Sequence, residues 1–133
     1  FSKMKENSFI VSADMAHAVH PNNPDLHDPK LQPQMNKGIV LKVNANQNYT
    51  TDGLSGAIVK QLANKANIKL QYYANRSDLR GGATLGHILM SQLNIKSADI
   101  GNPMLSMHSA KELAGSYDHK DMIAFFKVFF KSW

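Results

Sequence analysis

Ser8-Phe9-Ile10-Val11-Ser12-Ala13-Asp14-Met15-Ala16-His17-Ala18-Val19-His20-Pro21 is the stretch that predicts how this chain is organised. It opens with an apolar run, Phe9 to Val11, of the length and composition of a buried strand. Asp14 follows soon after, and Pro21 ends any further regular element. A carboxylate at the end of a buried strand is costly unless it is paired, and ligands of α/β sheets bind at this edge. Asp14 is therefore either a ligand in a site or the cap of a turn in a solvated loop.

The composition is that of one globular domain. The chain has 133 residues, of which 43% are hydrophobic and 19% charged, so it can bury a sizeable core. It has no cysteine, which excludes disulfide and thiolate chemistry and fits a reducing compartment such as the cytoplasm. No apolar run approaches the roughly 20 residues that span a membrane. The net charge of +5 is spread along the chain, which argues against a nucleic-acid interface.

Strand-like and helix-like patterns alternate along the chain. Strands are predicted over 8–13, 38–44, 68–75 and 96–100, with a turn at 45–48 and a loop at 76–82. Helices are predicted over 54–66, 84–93 and 109–115, and from Asp118 onward. This order favours an α/β fold, a layered sheet with helices on both faces. Residues 22–37 form a long loop that contains several prolines, and such loops are often functional.

Local signals indicate where these elements begin and which faces they bury. Asp52 caps the first long helix, and Ser109 with Glu112 has the spacing of a capping box. Gly101-Asn102-Pro103 is expected to stop the fourth strand. The side chains predicted to face the core are Leu85, Ile88, Leu89 and Leu93 in the helix 84–93, Ile68, Leu70 and Tyr72 in the third strand, and Met122, Phe125, Phe126, Phe129 and Phe130 in the last helix.

Asp14 and His108 are the two candidate metal ligands. Each follows a predicted strand, so the two can converge at one edge of the sheet. A carboxylate and a neutral imidazole suit zinc or a similar divalent metal. Two residues do not complete such a site, because a catalytic zinc takes three protein ligands and a two-metal hydrolase also needs a bridging carboxylate. Taken alone, a histidine at this position is more commonly an ordinary loop residue.

Several segments together resemble the M18 metallopeptidases, the aspartyl aminopeptidase family. Ser12 to Asn22 is similar to the signature of that family. Further similar segments follow in the family's order, and they are Gly38–Asn44, Gln47–Asp52, Arg76–Asp78, Gly82–Gly86, Asp99–Gly101 and Leu105–Ser109. The resemblance covers nearly the whole chain. His87 departs from the family, which usually has proline there, so the start of that helix is expected to differ.

The resemblance implies that residues 1–133 are the carboxy-terminal portion of the catalytic domain of a di-zinc aminopeptidase. By that likeness Asp14 binds one zinc ion and His108 binds the other. The family's upstream histidine, its bridging aspartate and its Glu-Glu pair, whose first member is the general base, lie outside these residues. The inserted dimerisation domain lies outside them as well. No catalytic residue is therefore expected within this fragment, and the fragment alone is expected to be inactive.

The resemblance also implies a substrate class and an assembly. The activity is removal of amino-terminal residues from peptides, with a preference for Asp or Glu, by metal-assisted hydrolysis. His20 resembles a family histidine at subunit contacts, and the protein is expected to be a homo-oligomer, with a dodecamer as one candidate size. The residues implied to contact substrate are Lys42, Tyr49, Gly82, Thr84 and Met107.

Lys42 is a lone cation in an otherwise apolar predicted strand. A buried lysine is costly unless an anion meets it. One interpretation places Lys42 in solvent or in a pair with an Asp of this domain. The other, which the resemblance implies, pairs it with the acidic side chain of the substrate.

His17 lies three residues after Asp14. In one continuous strand this odd spacing would direct the two side chains to opposite faces. The sequence therefore predicts that His17 points away from the candidate metal ligand.

Two other functional classes stay open from the residues. A non-catalytic binding or scaffold module derived from such a peptidase fits the same sequence, because no general base is visible in it. A basic nucleic-acid binder has only the net charge of +5 in its favour.

Overall fold

The computed structural model describes residues 2–43, 49–74, 82 and 84–132. The helices are α1 (Ser2–Glu6), α2 (Gly53–Lys65), α3 (Leu85–Leu93) and α4 (Ser116–Ser132), and a 3-10 turn covers Pro24–Leu26. The strands are β1 (Phe9–Ala13), β2 (Ala16–His17), β3 (Ile39–Val43), β4 (Leu70–Ala74), β5 (Lys96–Gly101), β6 (Pro103–Leu105) and β7 (Leu113–Ala114). The predicted turn at 45–48 and most of the predicted loop at 76–82 lie outside the described residues. In the described part, no helix has the length and apolarity needed to cross a membrane.

Two sheets form the framework. The larger has the strand order β1-β5-β3-β4, in which β5 runs parallel to β1 and antiparallel to β3. The smaller has the order β2-β6-β7. The chain passes from the larger sheet to the smaller at two adjacent points, between β1 and β2 and between β5 and β6. These two crossings bring the residues after β1 and β6 to one region of the surface.

Helices cover both faces of the larger sheet, as the sequence predicts. On one face α2 and α4 enclose the main core, which contains Phe9, Ile39, Leu41, Val59, Leu62, Ala98, Ile100, Phe125 and Phe129. On the other face α3 contacts β1 and β5. Gly86 makes this contact possible, since a Cβ at that position would stand 2.8 Å from Asp99 Oδ1 and 2.9 Å from Ser12 Cβ.

Helix α2 begins where the sequence predicts. The Asp52 carboxylate accepts a hydrogen bond from Ser55 N at 2.6 Å, and Ser55 Oγ accepts one from Asp52 N at 2.9 Å. This capping box satisfies two backbone donors at the helix start. The boundary is therefore determined by residues three apart in the sequence.

The helix predicted over 109–115 is wrong. Leu113–Ala114 forms β7, which pairs antiparallel with β6. Glu112 Oε1 accepts a hydrogen bond from His108 N at 2.7 Å, while Ser109 Oγ bonds to the backbone of Lys111. The side chains that suggested a capping box therefore stabilise a turn, and the backbone groups of 113–114 find their partners in the smaller sheet.

The predicted end of the fourth strand is also wrong. Strand β5 continues through Gly101, and β6 begins at Pro103 after a single intervening residue. Proline is tolerated at the first residue of a strand. The sequence Gly101-Asn102-Pro103 therefore moves the chain from one sheet to the next and does not end strand structure.

Several predicted core faces differ in the structure. In α3, Leu85 is 74% exposed and Ile88 51% exposed, whereas Gly86 is buried. In β4, Tyr73 is buried and Tyr72 is 37% exposed. Phe130 of α4 is 73% exposed, so the buried face of that helix is narrower than its apolar stripe. Periodicity indicated an apolar face in each element, and packing determined which side chains were covered.

Asp118 does not open the last helix as predicted. The helix begins at Ser116, and the fully buried Asp118 carboxylate accepts hydrogen bonds from Asn36 N at 2.6 Å and Gly38 N at 2.9 Å. Asp118 thereby anchors the end of the proline-containing loop to α4.

We expect Asp118→Asn to destabilise the full-length protein. The amide nitrogen would face a backbone N–H, and one buried donor would lose its acceptor, which costs about 1–3 kcal/mol. A lower midpoint of thermal unfolding would show this. Asp121→Asn on the same helix is the control, because burial and the nearby Asp118 raise the pKa of Asp121, so loss of its charge does not destabilise the fold. Equal midpoints for the two variants would contradict the anchoring role.

Candidate functional site

One cavity of about 580 Å³ lies on the α3 face of the sheet, where the two crossings meet. All the site residues singled out from the sequence line this cavity, and they are Asp14, His20, Lys42, Tyr49, Gly82, Thr84, Met107 and His108. They come from five separate segments of the chain. A cavity of this size is within the usual range for small-molecule and cofactor sites.

Asp14 lies directly after β1, and its position is held by the backbone. Asp14 N donates to Ile100 O at 3.0 Å, and Gly101 packs so closely that a Cβ there would collide with the Asp14 carbonyl. The Asp14 side chain is 65% exposed, with Oδ1 accepting a hydrogen bond from Met15 N at 2.7 Å. The backbone of Asp14 is therefore held in place, while its carboxylate is accessible from the cavity.

The predicted separation of Asp14 from His17 is wrong. Both residues line the same cavity. The rule of alternating faces applies within one strand, and here β1 ends at Ala13 while β2 begins at Ala16. The break between the two strands removes the alternation.

His108 lies on a tight turn after β6. Its φ angle is +66°, and that of Ser106 is +58°, both in the left-handed region that few non-glycine residues adopt. The hydrogen bond from His108 N to Glu112 Oε1 stabilises this conformation. The turn places His108 on the wall of the same cavity that Asp14 lines.

The donor chemistry of Asp14 and His108 fits zinc, which binds carboxylate oxygen and imidazole nitrogen. Within the described ranges, no group of three His, Asp or Glu side chains is arranged to hold a metal ion. Asp14 and His108 can therefore supply part of a metal site, and the remaining ligands are not among the described residues.

Lys42 is buried beneath the cavity, with 4% exposure, so the interpretation that places it in solvent is wrong. Its Nζ lies 4.0 Å from Asp14 Oδ2 and 5.6 Å from the centroid of the Tyr49 ring. Burial lowers the pKa of Lys42, while Asp14 and Asp99 act in the opposite direction. The alternative that pairs Lys42 with an Asp of this domain is confirmed, through a long ion pair at the wall of a cavity that can also admit an anion.

An aromatic wall adjoins Lys42. The Tyr73 ring lies 6.3 Å from Tyr49, 6.3 Å from His17 and 5.6 Å from His27, between ring centroids. Burial, Tyr73, Asp99 and Asp14 together raise the pKa of Tyr49 to about 12. Burial, His27, Lys42 and His108 lower the pKa of His17. Both groups are therefore held in their neutral forms at neutral pH.

The sequence analysis missed His27 and Tyr73, which line the cavity, and Asp99, which accepts a hydrogen bond from the lining residue Thr84. His27 lies in an irregular loop, where no periodicity reports on burial. Tyr73 was missed because the alternating pattern of the third strand predicted that Tyr72, and not Tyr73, faces the core. Asp99 carried a usable signal, since a carboxylate within a predicted strand is as unusual as the lysine within strand β3.

The remaining predicted residues, which are Thr84, Gly82, His20 and Met107, also line the cavity. Thr84 is buried at the start of α3, and its hydroxyl donates to Asp99 Oδ1 at 2.5 Å. Gly82 is exposed, and a Cβ there would meet no atom of this chain within 4 Å. His20 is exposed, and its Nδ1 accepts a hydrogen bond from Asn22 N at 3.1 Å.

Comparison with known proteins gives a consistent result. Probable M18 family aminopeptidase 2 of Clostridium novyi (strain NT) is 47% identical over 130 residues, covering 98% of this chain and 30% of the relative. Aspartyl aminopeptidase 1 of Schizosaccharomyces pombe is 42% identical over 133 residues, covering 100% of this chain and 28% of the relative. The chain thus spans less than a third of the length of these relatives.

Solved structures share the fold. The cryo-EM structure of a complex of Ape4 and Nbr1 superposes with a TM-score of 0.93 at 42% identity, covering 96% of this chain and 24% of that chain. The mApe1 dodecamer of S. cerevisiae superposes with a TM-score of 0.86 at 36% identity, covering 97% and 28%. Residues 1–130 match the family described as aminopeptidase I zinc metalloprotease (M18). The chain therefore belongs to the M18 family of zinc metalloproteases.

Proposed function

We propose that the full-length protein is a zinc-dependent aminopeptidase that removes amino-terminal Asp or Glu from peptides. In this proposal residues 1–133 are the carboxy-terminal portion of its catalytic domain. The observation that carries the proposal is the convergence of Asp14, His108 and Lys42 on one cavity of a chain that belongs to the M18 family. Relatives named aspartyl aminopeptidase support the acidic preference.

Each side chain has a distinct role in this proposal. Asp14 and His108 hold one zinc ion each, and bound zinc polarises a carbonyl oxygen and lowers the pKa of water. Lys42 pairs with the side-chain carboxylate of the amino-terminal residue. Tyr49, Gly82, Thr84 and Met107 border the substrate, which is positioned against the aromatic wall. The general-base glutamate is expected from the part of the protein that precedes this chain.

An activity assay on two proteins tests the proposal. We expect the full-length protein to hydrolyse an aspartyl anilide and to lose this activity reversibly on chelation of zinc. A protein of residues 1–133 is expected to be inactive, because general-base catalysis alone contributes about 10²–10⁴-fold. Turnover by the fragment, sustained through repeated purification, would contradict the upstream position of the base. An inactive full-length protein that contains zinc would favour the binding or scaffold module.

We also propose that the full-length protein is a homo-oligomer in the cytoplasm. The S. cerevisiae mApe1 structure is a dodecamer, and the exposed apolar side chains of α3 are typical of a surface that another part of an assembly covers. His20, on the rim of the cavity, is the proposed subunit contact. Light scattering at micromolar concentration should give a mass several times that of one chain. A monomeric mass would contradict the assembly, and fractionation of cells tests the compartment.

A further inference from the structure

Asp99 is a fully buried carboxylate that lies in the interior of β5. Its Oδ2 accepts hydrogen bonds from Thr50 N at 2.6 Å and Thr50 Oγ1 at 2.9 Å. Its Oδ1 accepts one from Thr84 Oγ1 at 2.5 Å. Its own backbone N donates to Thr51 Oγ1 at 2.9 Å. Hydrogen bonds to an ionised acceptor are roughly twice as strong as neutral ones, so this cluster is a rigid junction.

The groups that Asp99 binds belong to the cavity wall or adjoin it in the chain. Thr50 directly follows Tyr49, whose ring lies beneath Lys42, and Thr84 is itself a wall residue. The segments 49–51 and 84–86 have no ladder of strand pairing between them. The Asp99 carboxylate is the group that joins them, and Gly86 packs against its Oδ1.

Asp99 also bears on Lys42 directly. The two are cross-strand partners in the antiparallel pairing of β3 with β5, so their side chains project from the same face of the sheet. The negative charge of Asp99 favours the charged form of Lys42, in addition to the effect of Asp14. Asp14 is open to the cavity, whereas Asp99 is enclosed by Thr50, Thr84 and Gly86.

We propose that Asp99 is a positioning residue for substrate recognition, whose carboxylate holds Lys42, the Tyr49–Thr50 segment and Thr84 in the arrangement that receives an acidic amino-terminal side chain. The inference rests on the proposed function, and it assigns the selectivity of Lys42 to a buried group that substrate does not touch.

The matched control is Asp118. It is also fully buried and its carboxylate also accepts hydrogen bonds, from Asn36 N and Gly38 N, yet it lies on α4 and none of these groups lines the cavity. Asp99→Asn and Asp118→Asn therefore make the same chemical change at equal burial. An effect seen only in Asp99→Asn depends on where Asp99 lies, next to the cavity wall. An effect shared by both variants reflects loss of overall stability.

Hydrogen exchange of the full-length protein tests the positioning step. In Asp99→Asn we expect the amides of 49–52 and 84–86 to exchange at least about fivefold faster than in wild type, because a neutral acceptor binds these donors less tightly. In Asp118→Asn the same amides should keep wild-type rates, and those of 36–38 should exchange faster. Unchanged exchange at 49–52 and 84–86 in Asp99→Asn would overturn the inference.

Steady-state kinetics test the recognition step. For Asp99→Asn we expect the ratio of kcat/KM on aspartyl to leucyl substrates to fall by about tenfold or more, mainly through a higher KM for the aspartyl substrate. For Asp118→Asn the ratio should stay within about twofold of wild type. Equal ratios in the two variants would show that Asp99 is only structural.

Two further comparisons keep the test decisive. If Asp99→Asn does not accumulate as folded protein, Thr84→Val removes one of the three hydrogen bonds to the Asp99 carboxylate and should raise the exchange rates at 84–86. Thr84→Ser, which keeps the hydroxyl, should restore both those exchange rates and the substrate ratio. Failure of Thr84→Ser to restore them would overturn the inference. A wild-type enzyme without acidic preference would refute the proposed substrate class, and the exchange measurement would still decide whether Asp99 positions the wall.

Discussion

Lys42→Ala in the full-length protein will lower kcat/KM far more for substrates that begin with Asp or Glu than for those that begin with Leu or Ala. Truncating one partner of a buried charge pair costs about 2–5 kcal/mol, which corresponds to roughly 30- to 4,000-fold. The pair in question joins Lys42 Nζ to the substrate carboxylate. Substrates with apolar side chains do not form this pair, so their loss should be much smaller.

The structure supports a large effect because Lys42 is buried and its ion pair within the chain is long. Asp14 Oδ2 stands 4.0 Å from Nζ on a side chain that is itself 65% exposed. A substrate carboxylate that enters the cavity can approach Nζ more closely than Asp14 does. The Lys42 ammonium is therefore already positioned and desolvated in the folded protein, and substrate binding adds no further cost for removing it from water.

Two variants control for loss of structure at position 42. Lys42→Met keeps most of the buried stem and removes only the charge, so it should reproduce the selectivity change of Lys42→Ala with less loss of stability. Lys65→Ala, at an exposed position near the end of α2, should leave both substrate classes unaffected. An equal loss on acidic and neutral substrates in Lys42→Met would show that Lys42 is structural and that acidic preference arises elsewhere.

Asp14→Ala and His108→Ala are each expected to reduce the zinc content of the full-length protein and to lower kcat by roughly 10³-fold. The size follows from the several kcal/mol that metal ions contribute to the transition state, at tenfold per 1.36 kcal/mol. Elemental analysis of purified protein, together with the anilide assay, measures both quantities.

The matched control for the histidine is His119→Ala, at an exposed position on α4. It removes an imidazole without touching the cavity, so zinc content and rate should both stay at wild-type values. If His108→Ala also kept its zinc and its rate, His108 would be a turn residue, and its strained φ of +66° would need another explanation.

Elements whose signals are local agree with the sequence-based prediction. Helix α2 begins at its Asp52 cap because the capping hydrogen bonds join residues three apart. Strands β1 and β3 match their apolar runs because β3 is buried within the sheet and β1 packs Phe9 into the main core. The candidate ligands Asp14 and His108 and the lysine at 42 were also identified in sequence. They could be identified from the sequence alone because a charged residue in or after an apolar strand is unusual and because they lie in segments that resemble family motifs.

Other features depend on partners far away in the chain. Residues 113–114 form β7 instead of a helix because the edge of β6 offers backbone partners, a contact that no local pattern reports. Tyr73 is buried in place of Tyr72 because its ring packs against the rings of His27 and Tyr49 at the cavity wall.

The sequence by itself therefore determined the fold class and the main strands, and it identified Asp14, Lys42 and His108 among the residues that line the site. Only the tertiary structure decided that Asp14 and His17 share a cavity, and that Asp99 joins Thr50 to Thr84 across 49 and 15 residues of separation. The physical reason is that hydrophobic patterns and helix caps depend on residues only a few positions apart in the sequence. A buried carboxylate is instead satisfied by whichever donors the completed sheet brings to it.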